Sequence, residues 1–257
     1  MLLKNQITTH TVYLIRFRIG KQQRIFYATH CTMKVSVIIP ALNEAGILVE
    51  NLKCIRALSP HEIIVVDGES QDNTQTIAKH LADKTVTSSP GRAAQMNAGA
   101  QSAEGDLLLF LHADSLISKE GYQSMLRVMS NEPIAGGAFG LKIDSSNSAL
   151  KFIAFSATLR AKYFGLVYGD QAIFVRRKIF EEINGYSSLP ICEDLEFYRR
   201  LQKKGRTILL KEEAITSARR WEKEGIAFTT ARNMLIVCLF LLKFPPRILS
   251  KWYLSIR

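Results

Sequence analysis

The stretch Val35-Ser36-Val37-Ile38-Ile39-Pro40-Ala41-Leu42-Asn43-Glu44 decides the fold. Its first five residues are a short apolar, β-branched run that Pro40 ends. A run without polar alternation reads as a strand buried on both faces, as in a parallel sheet. Residues 44–58 follow with helical spacing (Ile47, Leu48, Leu52, Ile55) and stop before Ser59-Pro60. Glu62-Ile63-Ile64-Val65-Val66 is a second buried strand, ended by Asp67-Gly68. A helix over 72–82 with Asp72 as N-cap, a short strand at Thr85-Val86-Thr87, a helix over 91–103 and a strand from Asp106 to Leu111 continue the rhythm. Strand and helix alternate, which argues an α/β fold with a Rossmann-like, mostly parallel mixed sheet flanked by helices.

Ligands of such sheets bind beyond the carboxyl ends of the strands. Asn43-Glu44, Asp67-Gly68-Glu69-Ser70 and His112-Ala113-Asp114 all fall at those ends. A single turn acid is usually a cap, but three converging strand ends are harder to dismiss. No GxGxxG follows the first strand and no GxxxxGK[ST] occurs, which disfavours a dinucleotide site and a P-loop.

Farther along, Gly136-Gly137-Ala138-Phe139-Gly140 reads as extended, 146–164 as a helix, and Gln171-Ala172-Ile173-Phe174-Val175 as a strand. A helix around 178–183 is closed by Gly185-Tyr186. Glu193-Asp194 opens a helix through Lys204, which Gly205 stops.

The chain resembles the family 2 glycosyltransferases. The opening Val35–Glu44 is similar to theirs, and Val65-Val66-Asp67-Gly68-Glu69-Ser70-Gln71-Asp72-Asn73-Thr74 is close to VDDGSxDxT. Leu111-His112-Ala113-Asp114 stands at the DxD position, Glu193-Asp194 at the ED motif, and Arg220-Trp221 at the end of (Q/R)xxRW. Order and spacing agree over about 34–225. The resemblance implies a GT-A fold, a nucleotide-sugar donor, Mn²⁺ or Mg²⁺, and inversion at the anomeric carbon.

Carried onto this chain, the resemblance makes Asp67 the partner of the base, with Ala41 and Glu44 lining the same pocket. Arg92 stands beside the donor, and Arg220 assists the diphosphate. Asp114 is the metal ligand, since a hard divalent cation takes oxygen donors and would bridge carboxylate and diphosphate. His112 replaces the first Asp of DxD. It either joins the metal, which favours Mn²⁺, contacts ribose, or packs. Asp194 is the general base for the acceptor hydroxyl, with Glu193 secondary. The bland reading of Asp194 is an N-cap for 195–204. Trp221 would stack under the acceptor, with Gly169 and Asp170 on the acceptor side. Ser217 stands where (Q/R)xxRW begins, and the long membrane segments of processive synthases are missing, so a single-addition enzyme is expected.

The chain has 257 residues and 34 Lys+Arg against 23 Asp+Glu, net +11. The excess lies at the ends. Residues 1–32 hold Lys4, Arg16, Arg18, Lys21 and Arg24 and no acid, and residues 219–257 are again basic, while 33–218 are balanced. A nucleic-acid binder should carry its basic patch on the folded body, so no nucleic-acid partner is expected. Basic ends suit an anionic membrane surface or are simply solvated. Residues 1–32 read as a disordered arm or the product of an upstream start codon. Residues 33–225 then form the transferase domain and 226–257 a C-terminal apolar and basic helical segment. Met234 to Leu242 is apolar throughout but far shorter than the ~20 residues a span needs. It reads as a helix on the core or at a membrane interface, with Arg247, Lys251 and Trp252 at headgroup level. Cys31, Cys54, Cys192 and Cys238 show no CxxC spacing, which fits a reducing cytosol and argues against a zinc site.

The expectation is thus a cytoplasmic enzyme, peripheral at most on the inner face of the cell membrane. It moves a sugar from a nucleotide-sugar to a hydroxyl acceptor, with a lipid or carotenoid as the acceptor worth testing. One rival is a non-catalytic nucleotide-sugar binder or membrane-associated interaction protein. Another is a sugar-phosphate nucleotidyltransferase, which would want a Gly-rich, Arg-containing loop where Pro40–Glu44 stands.

Overall fold

The computed structural model describes the backbone of residues 12–19, 22–29 and 33–255, and side chains from Met33 to Tyr253. Two compact units result, 1–33 and 34–257. In the first, strands β1 (Val12–Ile19) and β2 (Gln22–Thr29) pair antiparallel, from Val12 opposite Thr29 to Ile19 opposite Gln22. The remaining residues of the extension lie outside the described ones.

The second unit is built on an eight-stranded sheet. β3 (Val35–Ala41), β4 (Glu62–Asp67), β5 (Lys84–Thr87) and β6 (Leu107–Phe110) are mutually parallel. β9 (Phe174–Arg176) runs antiparallel between β6 and β8 (Gly136–Asp144). β10 (Thr207–Ser217) lies parallel to β8 and antiparallel to β7 (Ser115–Ile117). The order is β5-β4-β3-β6-β9-β8-β10-β7.

β3 and β4 are buried along their whole length, which is why their sequences carry no alternation. Helix α1 (Ala45–Arg56) buries Leu48, Leu52 and Ile55, and α3 (Arg92–Ser102) buries Met96 and Gly99. A Cβ on Gly99 would lie 2.5 Å from Ile38 Cγ2, so a side chain there would lift α3 off the sheet. Helices α2 (Thr74–Leu81), α4 (Lys119–Asn131), α5 (Ser148–Phe164), α6 (Arg177–Glu182) and α7 (Glu193–Lys204) complete the layers. The chain then runs into α8 (Arg219–Glu224), α9 (Ile226–Leu241) and α10 (Pro246–Ser255).

Two local expectations and one rival reading need correction. Asp72 does not cap α2, which starts at Thr74 after Asn73. Asp72 instead accepts from the backbone N–H groups of Thr74 and Ala45, tying two loops together. The strand expected at 171–175 begins only at Phe174, because Gly169–Gln171 is a 3-10 turn and Ala172 is left-handed at φ 48°. Asp194 is not the N-cap of α7, since Cys192 flanks the helix there with a left-handed φ of 60°.

Candidate active site

The donor side sits where β3 and β4 end. Two loops are laced together there by side chains. Asn43, left-handed at φ 55°, donates its backbone N–H to Ser70 Oγ (2.9 Å), and its Oδ1 accepts from Gln71 N–H (2.8 Å). Glu44 N–H reaches Thr74 Oγ1 at 2.8 Å. Below them, the buried Gln95 amide donates to the carbonyls of both Ala41 (2.8 Å) and Val66 (2.9 Å). Ala41 therefore lines this corner, but its carbonyl is already spent on Gln95 and Gly68 N–H. Asp67 is 2 % exposed; Oδ2 accepts from Ser70 N–H, whereas Oδ1 is buried with no partner. An orphaned buried carboxylate oxygen is costly and marks a place where a ligand donor belongs.

The next strand exit supplies His112 and Asp114. Asp114 is partly exposed, and its Oδ2 lies 3.6 Å from Arg219 Nη2, which also pairs with Glu44 Oε2 at 3.0 Å. One arginine of α8 thus spans the donor loop and the candidate metal carboxylate. The sequence reading gave Arg219 no role, and the partners stand 175 residues apart in the case of Glu44, beyond any local pattern.

Glu193 and Asp194 open α7 and are buried (5 % and 7 % exposed) at its N-terminus, where the helix dipole favours a negative charge. Burial nonetheless pushes the Asp194 carboxyl well above the usual range. Glu193 and Asp170 add to this, while Arg92 and the Gly169 amide oppose it. Asp194 Oδ1 has no hydrogen-bond partner. Arg92 is open to solvent by its surface yet hemmed in on the cleft side. Burial works against its charge, but Glu193 and Asp194, then Tyr253 and Asp114, hold its pKa up.

Gly169 is where these groups meet. A Cβ there would collide with Asp194 Oδ2 and lie 2.6 Å from His112 Nε2. Only glycine lets the 3-10 turn pass between α7 and the β6 exit. His112 Nε2 is buried without a partner. Burial, then Arg92 and Arg220, push this imidazole well below its ordinary pKa. Asp170 has its carboxyl raised by burial and opposed by Arg160, Arg220 and Arg92. Arg160 stacks over Tyr168 at 3.6 Å and is a second residue the sequence reading passed over. A third is Tyr186, which was read only as a helix stop. Its ring stacks on Phe197 at 4.1 Å, and its buried hydroxyl has no partner. Burial, then the charges of Asp194 and Glu193, raise its pKa.

Arg220 donates to Tyr253 of α10 at 2.6 Å and still acts on His112 and Asp170. Trp221 is less central: it packs against the cluster of Leu141, Ile143, Leu150 and Ala154, with its indole N–H buried. Eleven of the expected residues thus lie around the carboxyl ends of one sheet, and Trp221 lies on the flank. A surface hollow lined by Asp106, Arg176 and Arg177 lies at the opposite, amino end of β6.

Among the described residues, no cluster of three His, Cys, Asp or Glu could cage a metal ion. The donor set instead fits a cation shared with a phosphate, the mode in which Mg²⁺-like ions use one or two carboxylates plus substrate oxygens. Asp114 supplies the carboxylate, and His112 is an unpartnered nitrogen nearby in the chain.

Comparison with known proteins bears on the family and the fold. Probable glycosyltransferase YdaM of Bacillus subtilis (strain 168) is 28 % identical over 217 residues, covering 74 % of this chain and 51 % of that protein. An uncharacterized glycosyltransferase of Haemophilus influenzae is 26 % identical, covering 65 % of this chain and 61 % of that one. The chain spans from about a third to under two thirds of the curated relatives it matches. Among solved structures, the mannosyltransferase PcManGT of Pyrobaculum calidifontis, in complex with GDP-Man and Mn²⁺, superposes with a TM-score of 0.61 at 18 % identity. It covers 72 % of this chain and 57 % of that one. Staphylococcus aureus TarS 1-349 gives 0.59 at 19 % identity, covering 80 % and 65 %. These neighbours are GT-A enzymes, and the sheet described above is a GT-A fold. The sequence model described as Glycosyl transferase family 2 matches residues 36–184, more than half of the chain and ending before Glu193. The chain belongs to glycosyl transferase family 2.

Proposed function

We propose that this chain is a metal-assisted, inverting glycosyltransferase that adds one sugar from a nucleotide-sugar to a hydroxyl acceptor. The observation that carries the reading is the convergence of Asp67, Asp114 and the Glu193–Asp194 pair at the carboxyl ends of one sheet, two of them with orphaned oxygens. Asp67 Oδ1 accepts from the base, in the corner lined by Ala41 and Glu44. Asp114 would hold Mn²⁺ or Mg²⁺, which would neutralise charge on the leaving diphosphate. Arg92 and Arg220 add fixed positive charge on the same side.

The acceptor enters past Gly169 and Asp170, with Trp221 at the flank. Asp194 takes the proton of the acceptor hydroxyl as that oxygen forms its bond to the anomeric carbon. The bond from that carbon to the diphosphate oxygen breaks, and its electron pair leaves with the nucleoside diphosphate. In-line attack opposite the leaving group inverts the centre. A raised carboxyl pKa makes Asp194 a stronger base once it is ionised, and Arg92 is the charge that favours ionisation. The neighbouring Glu193 charge adds to the proton affinity of Asp194. A cytoplasmic setting is part of this proposal, and Cys54, Cys192 and Cys238 are unbridged thiols.

The test is thermal stability against UDP-, GDP- and dTDP-sugars, each with and without Mn²⁺. A ligand at 100 times its dissociation constant adds about 2.7 kcal/mol. A metal-dependent shift with one nucleotide is expected. No shift with any of them would favour the reading as a non-catalytic interaction protein.

A further inference from the structure

Helix α9 is amphipathic in the wrong direction for a globular surface. Its inward face buries Thr229, Arg232 and Ile236, and Arg232, the helix's one charge, pairs with Glu224 at 2.6 Å. Its outward stripe follows helical spacing through Phe228, Met234, Leu235 and Leu241, all at least one-third exposed, and ends at Leu242, which is 78 % exposed. A helix that hides its charge and shows its apolar side is built to be covered. Ile226, at the start of α9, packs on the same cluster as Leu150 and Ala154 of α5. On α5 the buried face is Leu150, Ala154, Ala157 and Ala161, while Phe152, Phe155 and Phe164 stand out at 60–75 % exposure.

Charge tells what covers this face. From Ser145 to Gly169 the chain has no acid and carries Lys151, Arg160 and Lys162. From Gly225 to Arg257 it again has no acid and carries Arg232, Lys243, Arg247, Lys251 and Arg257. On α10, Arg247, Ile248 and Lys251 are exposed side by side. A second copy of the same face would set cation against cation. An anionic bilayer offers both an apolar interior for the aromatic and aliphatic side chains and negative headgroups for the lysines and arginines. Among the described residues no helix is long and apolar enough to cross a membrane, so the contact lies in the interface plane.

We infer that α5, α9 and α10 form a docking face for an anionic lipid bilayer. The inference stands on the surface alone and is independent of the chemistry assigned to the cleft. Flotation of the purified full chain with vesicles of phosphatidylcholine, alone or mixed with phosphatidylglycerol, tests it. Binding to the anionic vesicles is expected, weakened by salt and much poorer on phosphatidylcholine alone. The double variant Met234→Glu/Leu235→Glu is expected to lower binding by at least about tenfold. Lys243→Glu/Lys251→Glu is expected to abolish the preference for anionic vesicles. Phe155→Glu on α5 asks the same question if the α9 variant does not fold, as judged by its melting. Equal flotation of wild type and variants, or no flotation of the wild type with either vesicle, overturns the inference. So does a concentration-dependent dimer that the Met234→Glu/Leu235→Glu change dissolves without any vesicle binding.

Discussion

The two halves of the cleft are held by different means. On the side expected to take the donor, the loops after β3 and β4 are stitched by hydrogen bonds that involve the side chains of Asn43, Ser70, Thr74, Asp72 and Gln95, with Asp67 Oδ1 left orphaned among them. On the catalytic side, Asp194, Asp170, His112 and Tyr186 each keep a buried atom without one, and Cys192 and Ala172 hold left-handed backbone. Satisfied hydrogen bonds make the first half a preformed mould. The second half gathers four unpaired polar groups, the usual signature of a site completed by its ligands.

Changes on the catalytic side should therefore cost rate more than stability. Asp194→Asn is expected to lower kcat by about 10²–10⁴-fold while keeping the donor-induced thermal shift. Unchanged turnover would reject the base assignment. Gly169→Ala should follow, with about 10²-fold lost in kcat, because the new methyl displaces Asp194 and His112 from each other. A matching rise in donor KM instead would move Gly169 to the donor half.

Changes on the donor side should cost stability and binding together. Gln95→Leu is expected to remove about 1–3 kcal/mol, measured by denaturant unfolding, since buried carbonyls lose their donors. The same variant should weaken the nucleotide-induced thermal shift. A variant that melts normally and binds normally would show that the mould is not set from below.

The smallest effect is a pH slope. Asp194 has its carboxyl raised by burial, so the folded protein holds a proton that the unfolded chain gives up near pH 4. Its contribution to stability is fully present below that point and lost as pH rises through the folded value. Asp194→Asn should flatten this slope in melts run across pH and melt higher on its alkaline side. Turnover of the wild type should move the opposite way, falling as pH drops through the same value.

Much of this was legible in the sequence because parallel strands announce themselves. β3, β4 and β6 are mostly apolar runs, polar only at Ser36 and the ends of β4, and acids follow where they end. β10 drew no reading, because Lys211, Glu212 and Glu213 interrupt it where its register with β8 shifts between Leu209 and Glu213. β7 has only three residues, too few for any period. The carboxylates could be found from local motifs. Of the groups that tune them, Arg92 and Arg220 were legible too, but Arg219, Arg160 and Tyr186 were not, since they reach the site through tertiary folding. Trp221 was legible as a motif residue, yet its indole packs beside α5 rather than over the carboxylates.

Gln95 has one more consequence. Because one side-chain amide spans the carbonyls of Ala41 and Val66, it sets the gauge between the two strand tips as a spacer sets the jaws of a vice. The slot above it has a fixed width before any nucleotide arrives. If the base binds there as proposed, selectivity for one base over another would be rewritten by the residues that flank that slot, Asn43, Glu44 and Ser70 among them, without moving a single strand.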